Sequence, residues 1–110
     1  EIDSLICKIL SKNCENICEE TKYEIVCKDI TSLKKINIDS SLSAIFIDPP
    51  YKFKFFFEIL SIIIKSNILQ KNSIIILETN KDNIFKIPEK LNKINEKIYG
   101  KTKIIFLILK

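Results

Sequence analysis

Apolar residues along this chain repeat at two alternating periods. Over residues 2–18, Ile2, Leu5, Ile6, Ile9, Leu10 and Ile17 share one stripe with Cys7, Cys14 and Cys18, while Asp3, Lys8, Lys12 and Glu15 lie off it. That spacing predicts an amphipathic helix with its apolar face turned to a core. Residues 23–27 predict a short strand ending at Asp29, and Thr31 is placed to cap one helical turn over 31–35. Residues 43–47 form a continuous, β-branched run (Ser-Ala-Ile-Phe-Ile), the pattern of a strand covered on both faces.

A second helix is predicted over 53–65, where Phe53, Phe56, Phe57, Leu60, Ile63 and Ile64 repeat at three and four. Another buried strand follows over 73–77, with Glu78 to Asn80 at its C-terminal end. A short helix is expected within 82–91, interrupted near Pro88, which cannot sit inside one. The chain closes with an alternating run at 94–99 and an apolar run at 103–109, joined at Gly100-Lys101 by a two-residue turn of the Gly-X kind. Strands alternating with helices imply an α/β fold, a mostly parallel sheet with helices on its faces and a C-terminal antiparallel hairpin.

Composition narrows the classes. At 110 residues the chain is one domain at most. Ile supplies about half of the apolar residues, all 18 basic residues are Lys, and the net charge is +4. The excess suits an anionic partner such as RNA, but without Arg there is no bidentate fork for guanine edges or phosphates. The longest apolar stretch, 53–69, is broken by Lys54, Glu58 and Lys65, so no membrane span is expected. With no secretory signal in view, a cytoplasmic protein is expected. Cys7, Cys14, Cys18 and Cys27 contain no C-x-x-C pair, and there is no His. The cysteines are therefore expected to be small apolar packing residues rather than metal ligands or a disulfide framework.

The chemistry concentrates at Asp48-Pro49-Pro50-Tyr51, directly after Ala44-Ile45-Phe46-Ile47. It sets a carboxylate, a stiff kink and an aromatic ring at the C-terminal end of a predicted strand, where ligands bind in open α/β sheets. Two prolines also simply end a strand. A carboxylate, a kink and an aromatic ring together suit the holding of an exocyclic amine on a planar base, which strand termination does not need.

With these residues the chain resembles the class I S-adenosylmethionine-dependent methyltransferases. Among them it is most similar to the RsmD-type enzymes, which methylate the exocyclic amine of a guanine in bacterial small-subunit ribosomal RNA. The likeness is carried by the segment Ala44-Ile45-Phe46-Ile47-Asp48-Pro49-Pro50-Tyr51, the strand Ile74-Ile75-Ile76-Leu77-Glu78, the closing Tyr99-Gly100-Lys101-Thr102, the opening Glu1-Ile2-Asp3 and the Lys28-Asp29-Ile30 turn. It implies a Rossmann-like methyltransferase sheet and transfer to guanine N2, with S-adenosyl-L-methionine as cofactor. The Asp48 carboxylate and Pro49 carbonyl would accept the two amine hydrogens. Pro50 would stiffen the corner, and Tyr51 would stack on a base turned out of its helix. The resemblance further assigns cofactor contacts to Glu1 (ribose hydroxyls), Asp29 (adenine amine), Ile30 (ring support) and Asp48, and RNA phosphate contacts to Lys52 and Lys54. Ribosomal RNA or the small ribosomal subunit is the implied partner, with no metal, and a monomer is expected for the full-length protein. An adenine-N6 methyltransferase acting on DNA shares the tetrapeptide. A protein glutamine methyltransferase would carry Asn in place of Asp48.

One departure stands out. Gly100 is the single glycine, so the family's glycine-rich cofactor loop has no counterpart, nor do the strands around it. Residues 1–110 are therefore expected to be a partial methyltransferase domain, the C-terminal portion of the catalytic domain with the N-terminal strands missing. The alternative is an inactive remnant that only binds RNA or a partner. Either way, strands 23–27 and 43–47 would lack a shared neighbour, leaving sheet edges bare.

Overall fold

A computed structural model describes residues 1–18 and 22–110. It divides into two compact units, residues 1–33 and 34–110.

The first unit contains helix α1, Ser4–Ile17. Asp3 caps it, its Oδ1 accepting from the backbone N–H groups of Leu5 at 2.8 Å and Ile6 at 3.2 Å, which satisfies two of the free donors of the first turn. The helix forms where its spacing predicts, but its apolar stripe is not a core face. Leu5 is 65% exposed and Ile9 51%, and of its residues only Cys7 is buried. Residues 23–27 form no strand, because no described neighbour offers them a hydrogen-bonded ladder. The predicted turn over 31–35 is instead a single 3₁₀ turn, Ile30–Ser32. Its cap is Asp29 rather than Thr31, the Asp29 carboxylate accepting from Thr31 N–H at 2.9 Å.

The cysteine expectation is corrected here as well. Cys7 and Cys27 are joined by a disulfide, with Cα atoms 6.0 Å apart, within the range such a bridge spans. Cys14 and Cys18 are half-buried free thiols. With α1's stripe exposed there is little for thiols to pack against, and closing the 20-residue separation constrains the unfolded chain by about 3 kcal/mol.

The second unit is a four-stranded mixed sheet with one helix. Its elements are β1, Leu42–Ile47; α2, Phe56–Lys65; β2, Leu69–Asn80; β3, Leu91–Tyr99; and β4, Thr102–Leu109. The strand order is β1-β2-β4-β3. β1 and β2 are parallel, as an intervening crossover helix requires, and β4 pairs antiparallel with both β2 and β3. Gly100, at φ +59°, makes the turn between β3 and β4. Lys101 is not left-handed, so the turn is of the II′ kind that a leading glycine favours.

One face of the sheet carries the core. Ile75 and Leu77 of β2 and Ile105 and Leu107 of β4 meet Phe56, Ile59, Leu60 and Ile63 of α2, with Ile68 and Leu91 completing the cluster. On α2 the predicted stripe holds for Phe56, Leu60 and Ile63. Phe57 is 37% exposed, and Ile59 takes an inward place that the pattern did not assign. The opposite face is open at β1, where Phe46 is 60% exposed, and at the sheet's other edge Ile94 and Ile98 of β3 are exposed as well.

No helix forms within 82–91. Side-chain bonds hold that segment as a loop instead. Asn83 donates to Thr79 Oγ1 at 2.9 Å, and the buried Lys103 donates its Nζ to the Asn83 carbonyl at 2.6 Å.

The β1–β2 pairing has one irregularity. Leu42 pairs with Leu69 and Ala44 with Ile74, so β2 spends extra residues there. Ser73, 1% exposed, spans the gap: its hydroxyl accepts from Gln70 N–H at 2.8 Å and donates to the Leu42 carbonyl. Removing a buried hydroxyl that satisfies two backbone groups costs about 1–3 kcal/mol. In urea titrations Ser73→Ala should lose that much stability, whereas Ile84→Ala, at a residue 94% exposed, should stay within about 0.5 kcal/mol of the parent.

Candidate active site

The parallel pairing sets up the site. Ile47 is level with Leu77 across the β1–β2 ladder, so the next residue of each strand, Asp48 and Glu78, emerges at the same C-terminal end. β2 continues to Asn80, whose partner on β4 is Thr102. Asp48, Pro49, Tyr51, Glu78, Thr79, Asn80 and Thr102 line one small cavity of about 30 Å³.

Within it the tetrapeptide stays open. Asp48 and Pro50 are exposed, Pro49 is half-buried, and Tyr51 is 58% exposed. The Pro50 carbonyl accepts from Phe53 N–H at 3.0 Å, closing a turn. The Pro49 carbonyl accepts no hydrogen bond from a described residue, which leaves it free beside the Asp48 carboxylate. The Tyr51 hydroxyl comes within 3.4 Å of Thr102 Oγ1, so the ring is steadied from the hairpin while its bulk remains accessible. α2 starts at Phe56 with no side-chain cap, since Phe55 carries no acceptor, and in the stretch before it Phe53 and Phe55 pack edge-to-face at 5.7 Å. Lys52 and Lys54 lie in it and are exposed.

Chemically, the corner offers acceptors and one flat ring. Two carboxylates, Asp48 and Glu78, and a free carbonyl can receive N–H donors, and Tyr51 supplies a surface for a planar group. Thr79, Asn80 and Thr102 were missed as lining residues. The signal for them was the register, since the end of β2 must lie beside the end of β1 and Asn80 faces the start of β4.

The residues expected to hold the cofactor in the first unit are Glu1, Asp29 and Ile30. Glu1 Oε1 accepts from Ile2 N–H and Asp3 N–H, both at 2.9 Å, and Oε2 is left over. Asp29 Oδ1 accepts from Thr31 N–H at 2.9 Å and Thr31 Oγ1–H at 2.7 Å, leaving Oδ2. Bonding first from the Thr31 hydroxyl and then from its backbone N–H holds the Asp29 carboxyl below its ordinary 3.8. Among the described residues each carboxylate therefore keeps one oxygen for a hydroxyl or amine donor, and Asp29 is ionised at neutral pH, an acceptor set that fits the ribose hydroxyls and adenine amine of S-adenosylmethionine. Ile30 is 38% exposed and presents an apolar surface next to it. Among the described residues no group of three or more His, Cys, Asp or Glu could hold a metal ion, and no helix is long and apolar enough to cross a membrane.

The sequence pattern of the family described as conserved hypothetical protein 95 matches residues 1–108. The chain is 28% identical over 102 residues to ribosomal RNA small subunit methyltransferase D of Haemophilus influenzae, covering 91% of this chain and 53% of that protein. It is 32% identical over 63 residues to an uncharacterized methylase of Rickettsia prowazekii, covering 57% of this chain and 27% of the other. The chain thus spans about half the length, or less, of these curated relatives. Among solved structures, a proposed methylase of Haemophilus influenzae superposes with a TM-score of 0.81 at 25% identity, over 99% of this chain and 69% of that one. A proposed methyltransferase of Escherichia coli gives 0.78 at 16% identity, over 100% and 61%, a likeness of fold.

The Asp29 arrangement gives a pH prediction. A carboxyl with a lowered folded pKa contributes stability above its unfolded value, and this is lost as pH falls through the folded value. Thr31→Val removes the hydroxyl donor and keeps the N–H. Titration followed by carboxyl NMR shifts should show the Asp29 midpoint rising towards 3.8, with its acid-side loss of stability beginning at higher pH than in the parent.

Proposed function

Because this chain belongs to the RsmD-type methyltransferase family (conserved hypothetical protein 95), we propose that its Asp48–Tyr51 corner methylates an exocyclic amine of a nucleic-acid base. The substrate this reading favours is small-subunit ribosomal RNA, after the methyltransferase D relative, with guanine N2 as the atom that the family resemblance implies. The observation that carries it is the pair of open acceptors, the exposed Asp48 carboxylate and the unbonded Pro49 carbonyl, beside an accessible Tyr51 ring.

An exocyclic amine is a poor nucleophile because its lone pair is delocalised into the purine ring. If Asp48 and Pro49 each accept one of its hydrogens, the nitrogen becomes more tetrahedral and the lone pair is released. Fixed acceptors of this kind need no reorganisation as the reaction proceeds. Tyr51 holds the extruded base by stacking, and Lys52 and Lys54 meet phosphates and set the strand's position. S-adenosylmethionine supplies an activated methyl group on a sulfonium. Glu1 and Asp29 bind its ribose and adenine amine, Ile30 supports the ring, and Asp48 adds a cofactor contact of its own. After transfer the surplus proton leaves to Asp48 or to water.

In this reading residues 1–110 form the C-terminal portion of a methyltransferase domain, and the full-length protein acts as a monomer in the cytoplasm on ribosomal RNA or the small subunit. The share of the relatives that these residues span supports the reading as part of a domain. The tetrapeptide alone fits a DNA adenine methyltransferase equally, and the ribosomal RNA relative supports the RNA reading.

Asp48→Ala, made in an enzyme that contains the whole family domain, should lower methyl transfer by about 10²–10³-fold while S-adenosylmethionine affinity in calorimetry stays near that of the parent. Survival of transfer refutes the role of Asp48. Labelled methyl groups offered to ribosomal RNA, small subunits and duplex DNA should enter the first two, and incorporation into DNA alone would favour adenine.

A further inference from the structure

Glu1 and Asp29 come from opposite ends of the first unit, yet the chain brings these ends together. Glu1 N donates to the Val26 carbonyl at 3.3 Å. Cys7 Sγ lies 3.7 Å from the Glu1 carbonyl oxygen, and Cys27 Sγ lies 4.0 Å from that of Ile2. The covalent bond between Cys7 and Cys27 closes the set. Among the described residues of this unit Cys7 is the one buried side chain, so there is no apolar core to hold the two segments in place. The bridge is the one strong link between the segment bearing Glu1 and the segment bearing Asp29.

It is also within reach of reagents. Cys27 is exposed, and both cysteines line an open groove of about 500 Å³ with Lys8, Lys12, Glu15 and Ile25. The nearest internal competitor is weak: partial burial first, then the neighbouring Cys18, raise the Cys14 thiol above its ordinary value. Little Cys14 thiolate is therefore present at neutral pH to attack the bridge.

We propose that the Cys7–Cys27 disulfide is a positioning element for the cofactor, fixing the Glu1 and Asp29 carboxylates at the spacing that S-adenosylmethionine needs, and that a dithiol reductant releases it. The assignment rests on the reading above of Glu1 and Asp29 as cofactor contacts. Release is an exchange. A dithiol thiolate attacks the exposed Cys27 sulfur, Cys7 leaves as a thiolate and is protonated, and the second thiol of the reductant displaces Cys27. Two electrons and two protons pass from the dithiol, which becomes a disulfide, to Cys7 and Cys27, which become thiols. In a reducing compartment such bridges act as sensors rather than permanent staples.

The test uses an enzyme that contains the whole family domain, oxidised and after dithiothreitol, with Cys27→Ser as a permanently open form. Of these four cysteines, alkylation of the oxidised form should label Cys14 and Cys18 alone; labelling of all four overturns the proposal. Calorimetry with S-adenosylmethionine should show affinity about tenfold weaker in the reduced and Cys27→Ser forms. By linkage, saturating cofactor should then lower the bridge's reduction potential by about 30 mV, a shift that a merely structural staple would not show. Amide exchange at Ile105 and Leu107 should be unchanged on reduction, whereas Asp3 and Thr31 lose protection. Equal affinity in both forms overturns the role of the bridge alone. Absence of binding in both forms overturns the reading of Glu1 and Asp29 as well.

Discussion

The parallel pairing of β1 with β2 is the constraint on which the candidate site depends. It aligns two strand ends, so Asp48 and Glu78 emerge together while α2 crosses over the buried face between them in sequence. Parallel ladders are slightly weaker per residue than antiparallel ones, and this one has only β2 as its described neighbour. The Ser73 hydroxyl compensates locally by binding both strands where the register shifts. A slip of one residue would turn Ile45 and Ile47 away from α2 and carry Asp48 off the pocket.

Much of the second unit was legible because burial enforces period. Ile75 and Leu77, and Ile105 and Leu107, alternate in the sequence since one face of the sheet is covered. The stripe on α2 was visible for the same reason. β2 proved much longer than 73–77, running from Leu69 to Asn80; at its end pairing with β4 extends it through Glu78, Thr79 and Asn80, of which Thr79 alone favours a strand by itself. The loop over 82–91 was misread as helical. Its apolar residues Phe85 and Ile87 pack on the core from an irregular backbone, and the bonds that fix it come from distant Lys103 and nearby Thr79, which periodicity does not register.

The first unit shows the converse. Its helix was evident from spacing and from Asp3, but which side faces inward depends on what lies opposite, and sequence periodicity supplies only one half of that contact. The cysteine pairing was illegible for a related reason. Cys7 and Cys27 meet because the chain doubles back, so their separation along the chain says nothing of their 6.0 Å approach in space. At the site, the tetrapeptide declared itself through composition alone. Thr102, Asn80 and Thr79 entered through tertiary pairing.

Gly100 carries a further consequence. β4 is an inner strand, flanked by β2 and β3, so its alignment transmits to both sides. That alignment begins at a tight reversal whose leading residue adopts φ +59°, a conformation costly for side chains with a β-carbon. Space is not the obstacle, since an added β-carbon would meet nothing within 4 Å; backbone torsion is. In a chain otherwise dominated by isoleucine, lysine and asparagine, the geometry of an inner strand, and through Thr102 the footing of Tyr51, is thus delegated to the absence of a single methyl group.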